Sequence, residues 1–213
     1  MVALDSATVL ERGDAAPAFE LPGTDGETYT LDDFADYEAL LVVFTCNHCP
    51  YAKAKFDELN ELAEEYDDVA VVGISSNDAE EYPEDSFENM QELVADGTIQ
   101  YDAYLYDESQ DVAAAYGAVC TPDPFLFVSR EASRASETGG DQPGGNDGDE
   151  FVLAYHGRLD DALDPEAEPS EREMKSHIDE LLETGAVDAD DKPSRGCSIK
   201  WKDGNEPAYW DDL

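Results

Sequence analysis

The stretch Ala39-Leu40-Leu41-Val42-Val43-Phe44-Thr45-Cys46-Asn47-His48-Cys49-Pro50 decides the fold. Six apolar residues in a row, half of them β-branched or aromatic, read as a strand buried on both faces. Pro50 then opens a helical pattern, Tyr51 to Tyr66, because a first-turn proline gives up only an N–H that would be unpaired anyway. The two cysteines, separated by Asn47 and His48, stand at this strand-to-helix junction. A dithiol in that setting is expected to be redox-active. Unpaired N–H groups and the helix dipole favour a thiolate there, and this predicts an exposed first thiol, Cys46, with its pKa lowered towards neutrality.

Outward from this junction the pattern is one of alternating strands and helices. Val69 to Ser75 is a second buried strand, so the two strands and the intervening helix form a parallel βαβ unit, with a right-handed crossover as its default. Upstream, Ala16 to Phe34 carries Asp25 and Gly26 between short apolar stretches and reads as a β-hairpin. Downstream, Glu84 to Ala95 reads as a helix, Tyr101 to Tyr106 as a strand, and Ser109 to Tyr116 as a short helix stopped by Gly117. Val119-Cys120-Thr121-Pro122-Asp123-Pro124 leads into a strand over Phe125 to Ser129, with the proline a candidate for a cis bond. Residues 131–150 are rich in Gly, Ser, Asp and Asn and read as an acidic loop insertion. Phe151 to His156 is a strand, and Glu171 to Thr184 is an amphipathic helix with Met174, Ile178, Leu181 and Leu182 inward. The organisation expected is one α/β domain over 1–187 and a C-terminal tail over 188–213, locally basic and aromatic around Lys200, Trp201 and Lys202.

Composition narrows the function. The 213 residues carry 53 Asp+Glu against 12 Lys+Arg, a formal net charge of -41. That field repels phosphate backbones and anionic lipid, so neither nucleic acid nor a membrane surface is expected as a partner. A hydrophobic share of 41% excludes a disordered acidic chain. The carboxylate coat is instead read as a halophile surface, whose self-repulsion concentrated salt screens. Neither a secretory leader nor an apolar run long enough to span a bilayer is recognisable, which sets the expectation of a cytoplasmic protein with reduced thiols.

Gly13, Ala16, Pro17, Phe19, Leu21, Asp25 and Gly26 in the hairpin, the CxxC that opens a helix, and Thr121-Pro122 before a late strand together resemble the thioredoxin superfamily. Within it they resemble the redoxin branch that includes the alkyl hydroperoxide reductase/thiol-specific antioxidant group. The resemblance covers roughly residues 13–185. It implies a thioredoxin-like fold with a central mixed sheet of four or five strands, helices on both faces, and the N-terminal hairpin as an extension. It also implies that Cys46 attacks, Cys49 resolves, and Thr121 and Pro122 line the substrate groove. The activity implied is thiol-disulfide exchange with a disulfide-containing protein or small-thiol substrate and a cellular reductant, without a bound cofactor or metal. His48, when protonated, would stabilise the thiolate and raise the reduction potential.

The chain departs from the family patterns in places. Thr45 replaces the usual Trp, and Leu40 to Phe44 lacks the buried carboxylate of thioredoxins, so the proton acceptor for the resolving thiol is unassigned. The Pro-x-x-x-Thr-x-x-Cys pattern of peroxiredoxins fits neither cysteine, since the Thr positions hold Val43 and Cys46. Peroxidase activity therefore ranks behind disulfide exchange, and a zinc- or copper(I)-binding role using the cysteines with His48 or His156 ranks third. Cys120 is read first as a small buried thiol and second as a third redox thiol or soft ligand. Cys197, on an apparently flexible tail, is either a reactive thiol that reaches the dithiol or an inert surface cysteine. His156 is expected to be a structural hydrogen-bonding partner, His177 to be solvated, and Tyr101, Tyr104 and Tyr106 to pack as strand residues.

Overall fold

The structure is a computed structural model that describes residues 3–130, 132 and 151–212. Its centre is a five-stranded sheet in the order β6-β5-β4-β8-β9, where β4 is Ala39–Phe44, β5 Val69–Ser75, β6 Ala103–Tyr106, β8 Asp123–Ser129 and β9 Phe151–His156. Strand β4 pairs parallel with β5, which pairs parallel with β6; β8 lies antiparallel on the other side of β4, and β9 antiparallel beyond it. This is the mixed α/β architecture of the thioredoxin-like fold.

All six residues of β4 are fully buried, as expected of a central strand covered on both sides. Successive side chains alternate between the faces. Leu40, Val42 and Phe44 pack with Phe125, Phe127 and Tyr116 on one face. Leu41 and Val43 pack with Leu59, Leu62, Met174, Ile178 and Leu181 on the other. The first face is covered by helix α4, Asp111–Tyr116, and by the hairpin of β2 (Glu20–Pro22) and β3 (Thr28–Thr30). The second is covered by α2 (Phe56–Glu65) and α5 (Glu173–Thr184). Gly26 has φ +93° in the hairpin turn, and Gly117 closes α4 at φ +71°, a left-handed position that glycine adopts without a Cβ penalty.

The helix after Pro50 is not continuous. It divides into α1, Pro50–Lys53, and α2, with Lys55 at φ -112° and ψ 1° between them. The break lets the Lys55 ammonium reach Asp160, at 2.6 and 2.8 Å, and the carbonyl of Ala162. The expected helix from Glu84 is also shorter: Pro83–Asp85 form a 3-10 turn, and α3 runs over Phe87–Ala95 behind a Ser86 cap that accepts the Asn89 N–H.

The C-terminal segment corrects the expectation of a flexible tail. Arg195–Ser198 form β10, the middle strand of a second sheet, between β1 (Ala3–Asp5) and the short β7 (Cys120–Thr121). Beyond it, Lys202 donates to the Glu108 carbonyl, and Trp201 packs edge-on against Trp210. His177 is also not solvated. It is buried against the Tyr155 ring, with centroids 4.3 Å apart, and burial lowers its pKa. The acidic stretch 131–150 lies, apart from residue 132, outside the described residues. Among the described residues no helix is long and apolar enough to cross a membrane.

Candidate active site

Cys46 follows β4 by two residues, and Cys49 is the N-cap of α1, so sheet and helix fix the two sulfurs from opposite sides. Strand β7 brings Thr121 across from them through a cis Thr121–Pro122 bond. The Thr121 hydroxyl lies 3.1 Å from Cys46 Sγ. Its carbonyl lies 3.5 Å from Cys49 Sγ and accepts that thiol's proton when Cys49 is protonated. Of the two residues expected in the groove, Thr121 touches both sulfurs, and Pro122 follows it across the cis bond.

The electrostatics invert the sequence-based expectation for Cys46. Both sulfurs are buried, with each cysteine 0% exposed, so Cys46 is not an exposed helix-start thiol. Burial pushes the Cys46 thiol well up, its hydrogen bond to Cys49 and the nearby Asp85 carboxylate add to that, and the Thr121 hydroxyl opposes it. Cys49 is pushed down to about 5. Its sulfur accepts from the Cys46 thiol and from the Cys197 thiol, outweighing burial, and the backbone amides of Ala52 and Cys197 favour the anion further. Within the pair these surroundings favour the thiol on Cys46 and the anion on Cys49.

The residue that organises the loop between the thiols is Asp85, which sequence inspection missed. Fully buried, its Oδ1 accepts the backbone N–H groups of Asn47 at 2.7 Å and His48 at 3.1 Å. Its Oδ2 lies 2.5 Å from His48 Nδ1 and accepts from Asn77 at 2.8 Å. Four interactions on one carboxylate lock Asn47 and His48 in place. Tyr104 also turns out to be more than strand packing, because its hydroxyl donates to Asn47 Oδ1 at 2.7 Å. His48 faces Asp85 and stacks on Tyr82 at 4.8 Å, and its buried Nε2 has no hydrogen-bond partner among the described residues. No local signal distinguished Asp85 among 53 acidic residues.

The other candidates separate clearly. Cys120 is fully buried, its thiol directed to the Pro122 carbonyl at 3.7 Å, and burial raises its pKa well above the usual range, as the small-buried-thiol reading expects. His156 is a structural partner: its Nε2 lies 2.7 Å from the buried Asp123 carboxylate and its ring 4.3 Å from Phe125. Cys197 lies in strand β10 and not at the surface; it is 2% exposed and packs in one apolar cluster with Cys46, Cys49, Ala52 and Met90. For a metal, Cys46, His48 and Asp85 bring one sulfur, one nitrogen and one oxygen donor within 4.8 Å of one another. Zinc accepts such a mixture, but both Asp85 oxygens and His48 Nδ1 already hold the loop. The sets expected from Cys120 or His156 do not assemble.

Two buried cysteines beside a cis-proline loop, on a mixed sheet with helices on both faces, sit in a thioredoxin-like fold. Residues 12–136 match the AhpC/TSA family, and the chain belongs to that family of redoxins, a class of oxidoreductases. It is similar along nearly its whole length to an uncharacterized conserved protein from Geobacillus kaustophilus, at 39% identity and TM-score 0.79 over 95% of this chain and 97% of that one. A hypothetical protein from Sinorhizobium meliloti is 36% identical, with TM-score 0.77 over 94% of this chain and 99% of that one. A protein described as a possible disulfide isomerase from Bacteroides thetaiotaomicron shares the fold at 18% identity and TM-score 0.55, over 85% of this chain and 96% of that one. No curated protein matches.

Proposed function

We propose that the protein is a thiol-disulfide oxidoreductase whose Cys46 and Cys49 cycle between dithiol and disulfide. It would reduce a disulfide of a protein or small-thiol partner and be regenerated by a cellular reductant, in a reducing compartment such as the cytoplasm. The observation that carries this reading is that the two buried sulfurs both touch Thr121 of the cis-proline loop, Cys46 at its hydroxyl and Cys49 at its carbonyl.

The chemistry starts with one proton on the pair. Passing it from Cys46 to Cys49 makes Cys46 the thiolate, which the Thr121 hydroxyl stabilises, while the Thr121 carbonyl accepts from the newly protonated Cys49. Cys46 attacks one sulfur of the substrate disulfide, forming a mixed disulfide and expelling the other as a thiolate, which takes up the Cys49 proton. Cys49, again a thiolate, attacks Cys46 Sγ, closes the Cys46–Cys49 disulfide and releases the second substrate thiolate. Because neither sulfur meets solvent, a protein disulfide must displace part of the covering chain to reach them.

The test is reduction of insulin by dithiothreitol in the presence of the protein. Catalysis is expected in the wild type and absent in Cys46→Ser, and Cys49→Ser should accumulate a mixed disulfide on residue 46. Trapping on residue 49 in Cys46→Ser instead would reverse the roles, and equal rates with and without the protein would end the reading.

Burial also favours a second reading, reduction of a hydroperoxide, since a peroxide needs a much smaller opening than a protein disulfide. The Cys46 thiolate would attack the terminal peroxide oxygen, breaking the O–O bond to give a sulfenic acid while the alkoxide leaves as an alcohol with the Cys49 proton; the Cys49 thiolate would then displace the sulfenic hydroxyl, which leaves as water with a solvent proton, and close the disulfide. Peroxide consumption abolished by Cys46→Ser, with no insulin reduction, would select it. The surface charge supports a protein adapted to concentrated salt.

A further inference from the structure

In the antiparallel pair of β10 with β7, Cys197 stands directly opposite Thr121, and Ser198 opposite Cys120. Residues directly opposite in such a pair project to the same face, and neighbours along a strand to opposite faces. Cys197 therefore shares the face of Thr121, whose hydroxyl touches Cys46, while Cys120 projects away. This parity explains why one of the two extra cysteines reaches the dithiol and the other does not. Cys197 and Cys46 both adjoin Cys49, and their thiols favour its anion over its thiol. All three belong to one buried cluster.

From this geometry we infer that Cys197 is a third redox thiol, able to form a disulfide with Cys49 in exchange for the Cys46–Cys49 bond. The inference rests on the exchange chemistry proposed above. In the step, the Cys197 sulfur, giving up its proton, attacks Cys49 Sγ. The Cys49–Cys197 bond forms, the Cys46–Cys49 bond breaks, and its electron pair leaves on Cys46, which takes up the proton. Nothing is oxidised or reduced overall, so no outside reagent is needed. The products are a Cys46 thiol available for a second attack and a covalent tie from β10 to the start of α1. The oxidised protein thus has two isomers, one leaving β10 held by hydrogen bonds alone and one bolting it down.

The test is to equilibrate the full chain in a glutathione redox buffer, quench with acid, alkylate, and map disulfides by peptide mass spectrometry. Cys46→Ser keeps three of the four cysteines. It is expected to form a Cys49–Cys197 disulfide, leaving only Cys120 titratable, and Cys49→Ser should form no intramolecular disulfide. Three titratable thiols in oxidised Cys46→Ser, or a bond to Cys120, would overturn the inference. If Cys46→Ser does not fold, the wild-type map decides: both Cys46–Cys49 and Cys49–Cys197 peptides support the inference, and Cys46–Cys49 alone defeats it. A wild type that forms no disulfide while its four thiols stay titratable would instead remove the exchange reading itself.

Discussion

Gly196 lies so close to Thr121 that a Cβ on the glycine would come within 2.0 Å of the Thr121 carbonyl oxygen and 2.4 Å of its carbonyl carbon. The contact is backbone on backbone, so no side chain can rotate out of the way. It is what lets β10 seat against the cis-proline loop and bring Cys197 to the dithiol. Ser194 adds a hydrogen bond to the Pro122 carbonyl at 2.7 Å, and Ile199 N–H one to Val119 at 3.0 Å.

Gly196→Ala is therefore expected to unseat β10, at a cost of about 1–3 kcal/mol typical of overpacking. Reaction of Cys49 with a thiol reagent should accelerate by about tenfold or more at neutral pH. An unchanged labelling rate together with an unchanged denaturation midpoint would show that β10 does not guard the site.

Thiolate absorbance near 240 nm should report one sulfur ionising at about pH 5, and Cys49→Ser should abolish that transition. The sign for stability follows. The folded value lies below the usual 9 of a thiol, so between roughly pH 5 and 9 the unfolded chain binds the extra proton. The contribution of this group is thus complete above that window, shrinks as pH falls through it, and is gone below about pH 5. The wild type should lose stability relative to Cys49→Ser on acidification across this range, as urea denaturation at several pH values would measure.

Asp85→Asn should act on both fold and site. It leaves the Asn47 and His48 amides and the His48 ring with a poorer acceptor, at a cost of about 2–4 kcal/mol. It also removes a negative charge that opposes ionisation of Cys46, so the Cys46 pKa should fall. Thermal denaturation and the pH dependence of Cys46 alkylation check the two effects separately.

The Tyr116 ring packs edge-on against Phe44, Phe125 and Phe127, and its buried hydroxyl has no hydrogen-bond partner among the described residues. Tyr116→Phe should leave the stability unchanged or raise it by about 1 kcal/mol, in contrast to the loss usual for a core substitution. Urea denaturation compared with the wild type measures it.

With a net charge of -41, stability should grow with salt. Moving from dilute buffer to about 2 M KCl is expected to raise the melting temperature by at least roughly 5 °C, as screening relieves repulsion within the carboxylate coat. A flat melting temperature across that series would contradict the reading of the surface.

Much of the fold was legible because it is written in contiguous residues. The apolar run of β4, the βαβ order, the Asp25-Gly26 turn and the Gly117 helix stop are short-range patterns whose period or backbone demand survives in any tertiary context. The break between α1 and α2 was not legible, because it answers to an ion pair between Lys55 and Asp160, 105 positions apart. His177, on the polar side of its helix, reads as solvated for the same reason, its burial depending on Tyr155 of strand β9.

The sequence by itself determined the sheet, the helical layers and the presence of a dithiol at a strand-to-helix junction, since hydrophobic period and local backbone chemistry act within a few residues. Only the tertiary structure decided that the surroundings favour the anion on Cys49 rather than Cys46, that Asp85 anchors the loop, and that Cys197 rather than Cys120 joins the sulfurs. Charge placement depends on burial and on donors brought in from distant segments. The choice between the two extra cysteines depends on the register of one strand pair, where a slip of β10 by a single residue would turn Cys197 to the face of Cys120.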